Sequence, residues 1–240
     1  MMHQFQAHLT SDEMAEILLY GDIGGFFDGI TAKEFAEAVQ ELGDVEAINV
    51  RINSFGGIAA DGTAMFNVLR RHPALVTVDV EGYAASSASI VAMAGDEIRM
   101  ATGSLMMIHD AWGVAMGNAA EISSYAEGLA RASEAIRDIY AERTGNDNGK
   151  IREWMLAETW FTADEAVANG FATDAVDTLA IAAMGDPDRH KFRAFPTRLE
   201  LEEPRSEESR SEPVGSRSVD VKTRLRLTRA RARAPQLVRG

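Results

Sequence analysis

The sequence predicts an α/β protein assembled from strand–helix–strand crossover units. Three observations carry that expectation. Short apolar runs such as INVRI and LVTVDV alternate with amphipathic segments between about residue 15 and residue 176. Two of those segments open on capping boxes, Thr31 with Glu34 and Thr162 with Glu165, each just ahead of a helical pattern. A chain of 240 residues, 46% of them apolar, can bury a full core in one domain, or in one domain with an appendage.

Taken in order, AEILLYG reads as a strand, TAKEFAEAVQELG as an amphipathic helix and AINVRINS as a second strand. GGIAADGTAMFNVLRRHP is a glycine turn entering a helix whose Ala60, Ala64, Met65 and Val68 share a face, stopped before Pro73. LVTVDVEG is a strand ending at Gly82, ASSASIVAMAG a short helix closed by Gly95, and EIRMAT and SLMMIH are two further strands. A longer helix over about 120–143 carries an apolar stripe of Ala120, Tyr125, Leu129, Ala132, Ile136 and Ile139, which needs a partner surface. TADEAVANG is the last helix, closed by Gly170. Residues 1–14 are set apart as an N-terminal segment and 15–190 as the folded domain, with no internal repeat.

Charge separates the remainder. Residues 191–240 hold 13 Lys and Arg against 7 Asp and Glu, leaving 11 against 30 in residues 1–190. The tail, rich in Ser, Pro, Glu and Arg, has too few large apolar side chains to offset its ordering entropy, so a disordered, Arg-rich segment is expected. Its end, KTRLRLTRARARAP, could meet nucleic acid, an acidic partner or the acidic body; the body itself is a poor nucleic-acid binder. With no cysteine, disulfides and thiolate metal sites are excluded. No run of about 18 apolar residues and no signal-peptide pattern occurs, so a cytoplasmic protein without a membrane span is expected.

Chemistry is suggested by EGYAASSASIVAMAG, residues 81–95. Alone, its small residues are explained by close helix packing. A sharp strand-to-helix turn would instead hold Ser86 at an elbow with free helix amides beside its hydroxyl, although Ser87 or Ser89 could equally be the hydroxyl that matters. INSFGG, residues 52–57, puts two glycines directly after a strand, and the amide of Gly57 could act beside that of Ser87 as a second oxyanion donor. A serine nucleophile needs a base. His3 and His8 lie near the N-terminus, His72 in the helix end RRHP and His190 at the tail boundary, whereas His109 closes the apolar strand SLMMIH.

Gly56-Gly57 in INSFGG, Ser86 in GYAASSAS, the AMAGD segment, His109 in MMIHDA and the stretch ETWFTADEAVANGF occur in that order. Together, over residues 15–176, they resemble the Clp-type serine peptidases, in particular the Clp-related head maturation (prohead) proteases of tailed phages. The resemblance implies a Clp/crotonase-like spiral of β-α-β units with a protruding handle helix at about 113–145. It implies Ser86 as nucleophile, His109 as general base and the Gly57 and Ser87 amides as oxyanion hole. The third triad position, commonly aspartate, falls on Glu158; Asp147, Asp164 and Asp174 are the fallback acids, and a Ser-His dyad is the remaining option. GVAMGNA would form a handle strand running beside bound peptide.

A ring-shaped homo-oligomer is implied, with no metal or organic cofactor and with a protein or peptide substrate, scaffold or capsid precursor in a phage setting. That setting places it in host cytoplasm, inside the immature capsid. The competing expectations are a cellular Clp-type peptidase served by an ATP-driven unfoldase, a crotonase-type acyl-CoA enzyme, and a catalytically inactive structural ring protein of the capsid.

Overall fold

Alternating side chains give β2 (Met14–Ile23), β3 (Ala47–Gly57) and β4 (Leu75–Ala85) one apolar side each. Ile17 and Leu19, then Ile48, Val50 and Ile52, then Val76, Val78 and Val80 are buried on it. In the computed structural model, which describes residues 4–11, 13–25 and 29–177, these three strands pair in parallel. The chain divides into two units, Met1–Pro196 and Thr197–Gly240, and every described residue belongs to the first. His3, His190 and the 191–240 tail lie outside the described residues.

Helices α1 (Ala32–Glu41) and α2 (Ala59–Arg71) cover the apolar side with Phe35, Val39, Met65 and Leu69. The Thr31–Glu34 capping box forms, and Asp61 from the first turn of α2 accepts the Ala32 N–H at 2.8 Å, tying the two helix starts together. The face expected for α2 needs correction: Ala60 is exposed, and the inward positions are Gly62, Met65 and Leu69. A Cβ on Gly62 would sit 2.7 Å from Ser87 Cβ, so the close approach to the next helix decides which side turns in.

The other side of the sheet is polar. Arg99 grips Asp79 with two bonds of 2.6 Å, and Arg51 Nε donates to Glu81 at 2.8 Å while the Tyr20 hydroxyl bonds the same carboxylate. Strand β1 (Gln4–Ser11) pairs antiparallel with β2, so the sheet begins inside the residues set apart as an N-terminal segment.

What positions the site is a fork in β4. Its residues Thr77–Val80 pair in parallel with β5 (Glu97–Ala101), which in turn pairs with β8 (Asp174–Val176). Its last residues, Tyr83–Ala85, pair instead with β6 (Leu105–Ile108), and β6 pairs antiparallel with β7 (Thr159–Thr162). The strand was expected to end at Gly82 but runs on to Ala85, because β6 supplies a second ladder. The bend falls where the β3–β4 register slips, Ile52 facing Val80 but Ser54 facing Ala84. Asn53 fills that gap, its Oδ1 accepting the Tyr83 N–H at 3.2 Å.

After β4 comes α3 (Ser87–Ala92), buried throughout. Helix α4 (Ala119–Thr144) starts at an Asn118–Glu121 capping box and closes on Gly145 at φ 72°. Only its second half enters the core, through Ile136 and Tyr140; Ala120 and Tyr125 of the expected stripe are exposed. Residues 113–118 form irregular chain, not the expected handle strand; Gly113 and Gly117 disfavour extended pairing, and Val114 and Met116 point outward. Helices α5 (Asn148–Ala157) and α6 (Ala163–Ala168) are fastened by stacked Phe161 and Phe171, with Trp154 edge-on to Phe161 and Tyr140 edge-on to Phe171. Among the described residues no helix is long and apolar enough to cross a membrane.

Candidate active site

Ser86 occupies the turn between β4 and α3 at φ 54°, ψ −126°, a conformation that costs a non-glycine residue about 1–3 kcal/mol. The surroundings enforce it. Its N–H bonds to the Met107 carbonyl of β6 at 3.0 Å, and its own carbonyl accepts the Ser89 N–H at 3.0 Å and the Ser89 hydroxyl at 2.6 Å. Gly56, at φ 91°, presses against this elbow: a Cβ there would lie 2.5 Å from the Ala85 carbonyl oxygen, 2.8 Å from Ser87 N and 2.9 Å from Ser86 Cβ. Gly57, at φ 149°, is exposed, and a Cβ on it would overlap the Ile23 carbonyl. Ser87, as first residue of its helix, has an N–H with no acceptor inside the helix.

The fork then delivers the imidazole. Ala85 faces Met107 across the β4–β6 ladder, so the residues just past each strand end converge. His109 Nε2 stands 2.7 Å from Ser86 Oγ. Of the three serines, Ser86 makes this contact; the Ser89 hydroxyl is committed to the Ser86 carbonyl, and Ser87 Oγ is buried and makes no hydrogen bond. The other described histidines have local partners, His8 near Glu16 at 3.9 Å and His72 accepting the Ala74 N–H at 3.1 Å.

Glu158 and His109 each lie one residue beyond the β6–β7 ladder, at the end where Ile108 faces Thr159. Position 109 follows β6 directly and position 158 precedes β7 directly, so both side chains leave the same end of this pair. Nearby, the Asp110 N–H bonds the Met155 carbonyl at 3.3 Å. Glu158 ends α5 in a left-handed conformation, φ 53°, ψ 71°, and is 5% exposed. Besides Ser86 it alone among the described non-glycine residues has positive φ. The fallback acids sit elsewhere: Asp147 caps α5 by accepting the Gly149 N–H at 2.8 Å, Asp164 is exposed in the first turn of α6, and Asp174 is exposed opposite Arg99 on β8.

Sequence reasoning missed Tyr140, whose hydroxyl lies 2.8 Å from Ser89 Oγ directly behind the elbow. The signal was its i,i+4 spacing from Ile136 on the one buried face of α4. Among the described residues no group of three or more His, Cys, Asp or Glu side chains could hold a metal ion.

The sequence profile described as Clp protease matches residues 28–178. Subunit 1 of the proteolytic component of the ATP-dependent Clp protease from Chlamydia abortus is 32% identical over 151 residues, covering 59% of this chain and 79% of that protein. The subunit of the same name from Streptomyces avermitilis is 28% identical over 182 residues, covering 73% and 82%. A solved ClpP1 mutant from Listeria monocytogenes superposes with a TM-score of 0.60 at 23% identity, over 68% of this chain and 91% of that one, which supports the shared fold. The profile spans the elbow, the forked strand and both flanking glycines, and the chain therefore belongs to the Clp protease family, as a serine-type endopeptidase.

Proposed function

We propose that Ser86 is the nucleophile, His109 the general base and Glu158 the acid behind it, with the Gly57 and Ser87 amides as oxyanion donors. The observation that carries this reading is the 2.7 Å contact between His109 Nε2 and Ser86 Oγ at a strained elbow. In the neutral tautomer that accepts from serine, Nδ1 carries the other proton, and the proposed role of Glu158 is to accept it; the buried position of this carboxylate beside the end of the β6–β7 ladder supports that reading. As Oγ bonds to the substrate carbonyl carbon, its proton passes to Nε2 and negative charge collects on the former carbonyl oxygen, stabilised by the two amides. Collapse breaks the C–N bond, Nε2 protonates the leaving amine, and water then repeats the sequence on the acyl-enzyme. A fluorophosphonate probe is expected to label Ser86 in the intact chain, located by peptide mass spectrometry. Label on Ser87 or Ser89 would refute the assignment and move the nucleophile there, and no label at all would favour an inactive structural ring protein.

The finer role we propose is head maturation in a tailed phage, with scaffold or capsid precursor as substrate inside the immature shell. What supports it is the order of the quoted motifs and the basic 191–240 extension beyond the region matched by the family. The similarity to subunits of an ATP-dependent Clp protease favours a second reading, the peptidase partner of an ATP-driven unfoldase. Incubating the purified chain with purified scaffold protein separates them: cleavage without ATP supports the phage reading, and degradation only with an added unfoldase and ATP overturns it. In either role we expect a ring of identical subunits, with the exposed first half of α4 and the apolar residues Trp112, Val114, Met116, Ile122 and Tyr125 as contact surface.

A further inference from the structure

Ser89 and Tyr140 take no part in these proton transfers, yet both are buried and joined to the elbow. Ser89 Oγ lies 2.6 Å from the Ser86 carbonyl oxygen and 2.8 Å from the Tyr140 hydroxyl. A carbonyl only accepts, so the Ser89 hydroxyl commits its single proton there. The Tyr140 phenol is then the donor to Ser89. Burial pushes that phenol above its ordinary value, so it keeps the proton throughout the pH range in which a histidine base works.

We propose that Ser89 and Tyr140 are positioning residues: together they clamp the peptide plane between Ser86 and Ser87 and so aim the Ser87 N–H at the oxyanion. The inference rests on the assignment of Ser86 and of the Ser87 amide made above. A trans peptide is one rigid plate with its C=O and N–H pointing in opposite directions. Fixing the oxygen at one edge therefore fixes the donor at the other. The plate needs such a hold, because Ser86 sits where the backbone tends to relax away. The Ser89 N–H also reaches the Ser86 carbonyl, at 3.0 Å, but from within the same short helix. Only the side-chain chain of bonds anchors the plate to a separate element, α4. Its far end is immobile: Tyr140 is 1% exposed and meets Phe171 edge-on at 5.8 Å.

The test uses full-length Ser89→Ala, Tyr140→Phe and the double variant, with Ser86→Ala as reference. It measures kcat and KM on fluorescein-labelled casein, fluorophosphonate labelling rate and thermal midpoint. Because an oxyanion donor acts in the transition state, Ser89→Ala should lower kcat roughly tenfold at unchanged KM. Tyr140→Phe keeps the ring and its Phe171 contact and should lower kcat roughly threefold. The double variant should be no worse than Ser89→Ala, since both changes cut one clamp. Labelling should slow in parallel.

A purely structural pair would lower the thermal midpoint and leave kcat per folded molecule at the parent level, and that result overturns the proposal. Additive losses in the double variant overturn it as well. Should Ser89→Ala fail to fold, Tyr140→Phe decides by the same split between kcat and KM. If Ser86→Ala retains turnover, the underlying site assignment has failed; if Ser86→Ala is dead while the other variants match the parent, only the clamp has.

Discussion

Ser86→Ala is expected to lower peptide hydrolysis by roughly 10⁴-fold or more while the protein stays folded. Removing the hydroxyl leaves His109 Nε2 without the oxygen it now meets at 2.7 Å, and no other serine can take over. Ser89 is turned toward its own helix start, and Ser87 is buried against α2 at Gly62. The backbone bond from residue 86 to the Met107 carbonyl survives the substitution, so the elbow and its ladder persist. Initial-rate measurements alongside a thermal melt check both halves of the expectation. Parent-level turnover from a homogeneous preparation would remove Ser86 from the chemistry.

Glu158→Gln should cost roughly 10²- to 10⁴-fold in kcat, because a neutral amide holds the imidazole less well in the reactive tautomer and no longer balances the imidazolium that forms. A second variant separates this role from fold support. Glu158 ends α5 in a left-handed conformation that glycine adopts freely, so Glu158→Gly relieves backbone strain. Its melting temperature should stay near or above the parent value while activity falls as in Glu158→Gln. Active Glu158→Gly protein would reduce the site to a Ser-His dyad.

Local signals were the most legible. Both expected capping boxes form at Thr31–Glu34 and Thr162–Glu165, because the partners lie three residues apart and depend on nothing distant. The last residues of β4 were not: GYAA has weak strand preference, and its pairing is imposed by β6 some twenty residues later. The face of α2 was misjudged for a similar reason, since a glycine at the helix crossing turns Gly62 inward and leaves Ala60 outside. Strand β1 carries the polar–apolar alternation QFQAHL, a short pattern next to the terminus whose strand state depends on pairing with β2. For the site, residue chemistry alone left three serines open. Resemblance singled out Ser86 and His109, and the β4–β6 register supplies the physical reason these two positions meet. No short-range pattern foretells that a buried glutamate will sit in a left-handed helix end, as Glu158 does.

A strand that changes neighbours halfway works as a joint. The two-stranded wing of β6 and β7 meets β4 through three facing residue pairs, Tyr83–Leu105, Ala84–Met106 and Ala85–Met107, and through the bond from the Ser86 N–H to the Met107 carbonyl. The contact between Ser86 and His109 therefore depends on the short second ladder, while the longer ladders of the same strand bury the apolar rows of β2, β3 and β4.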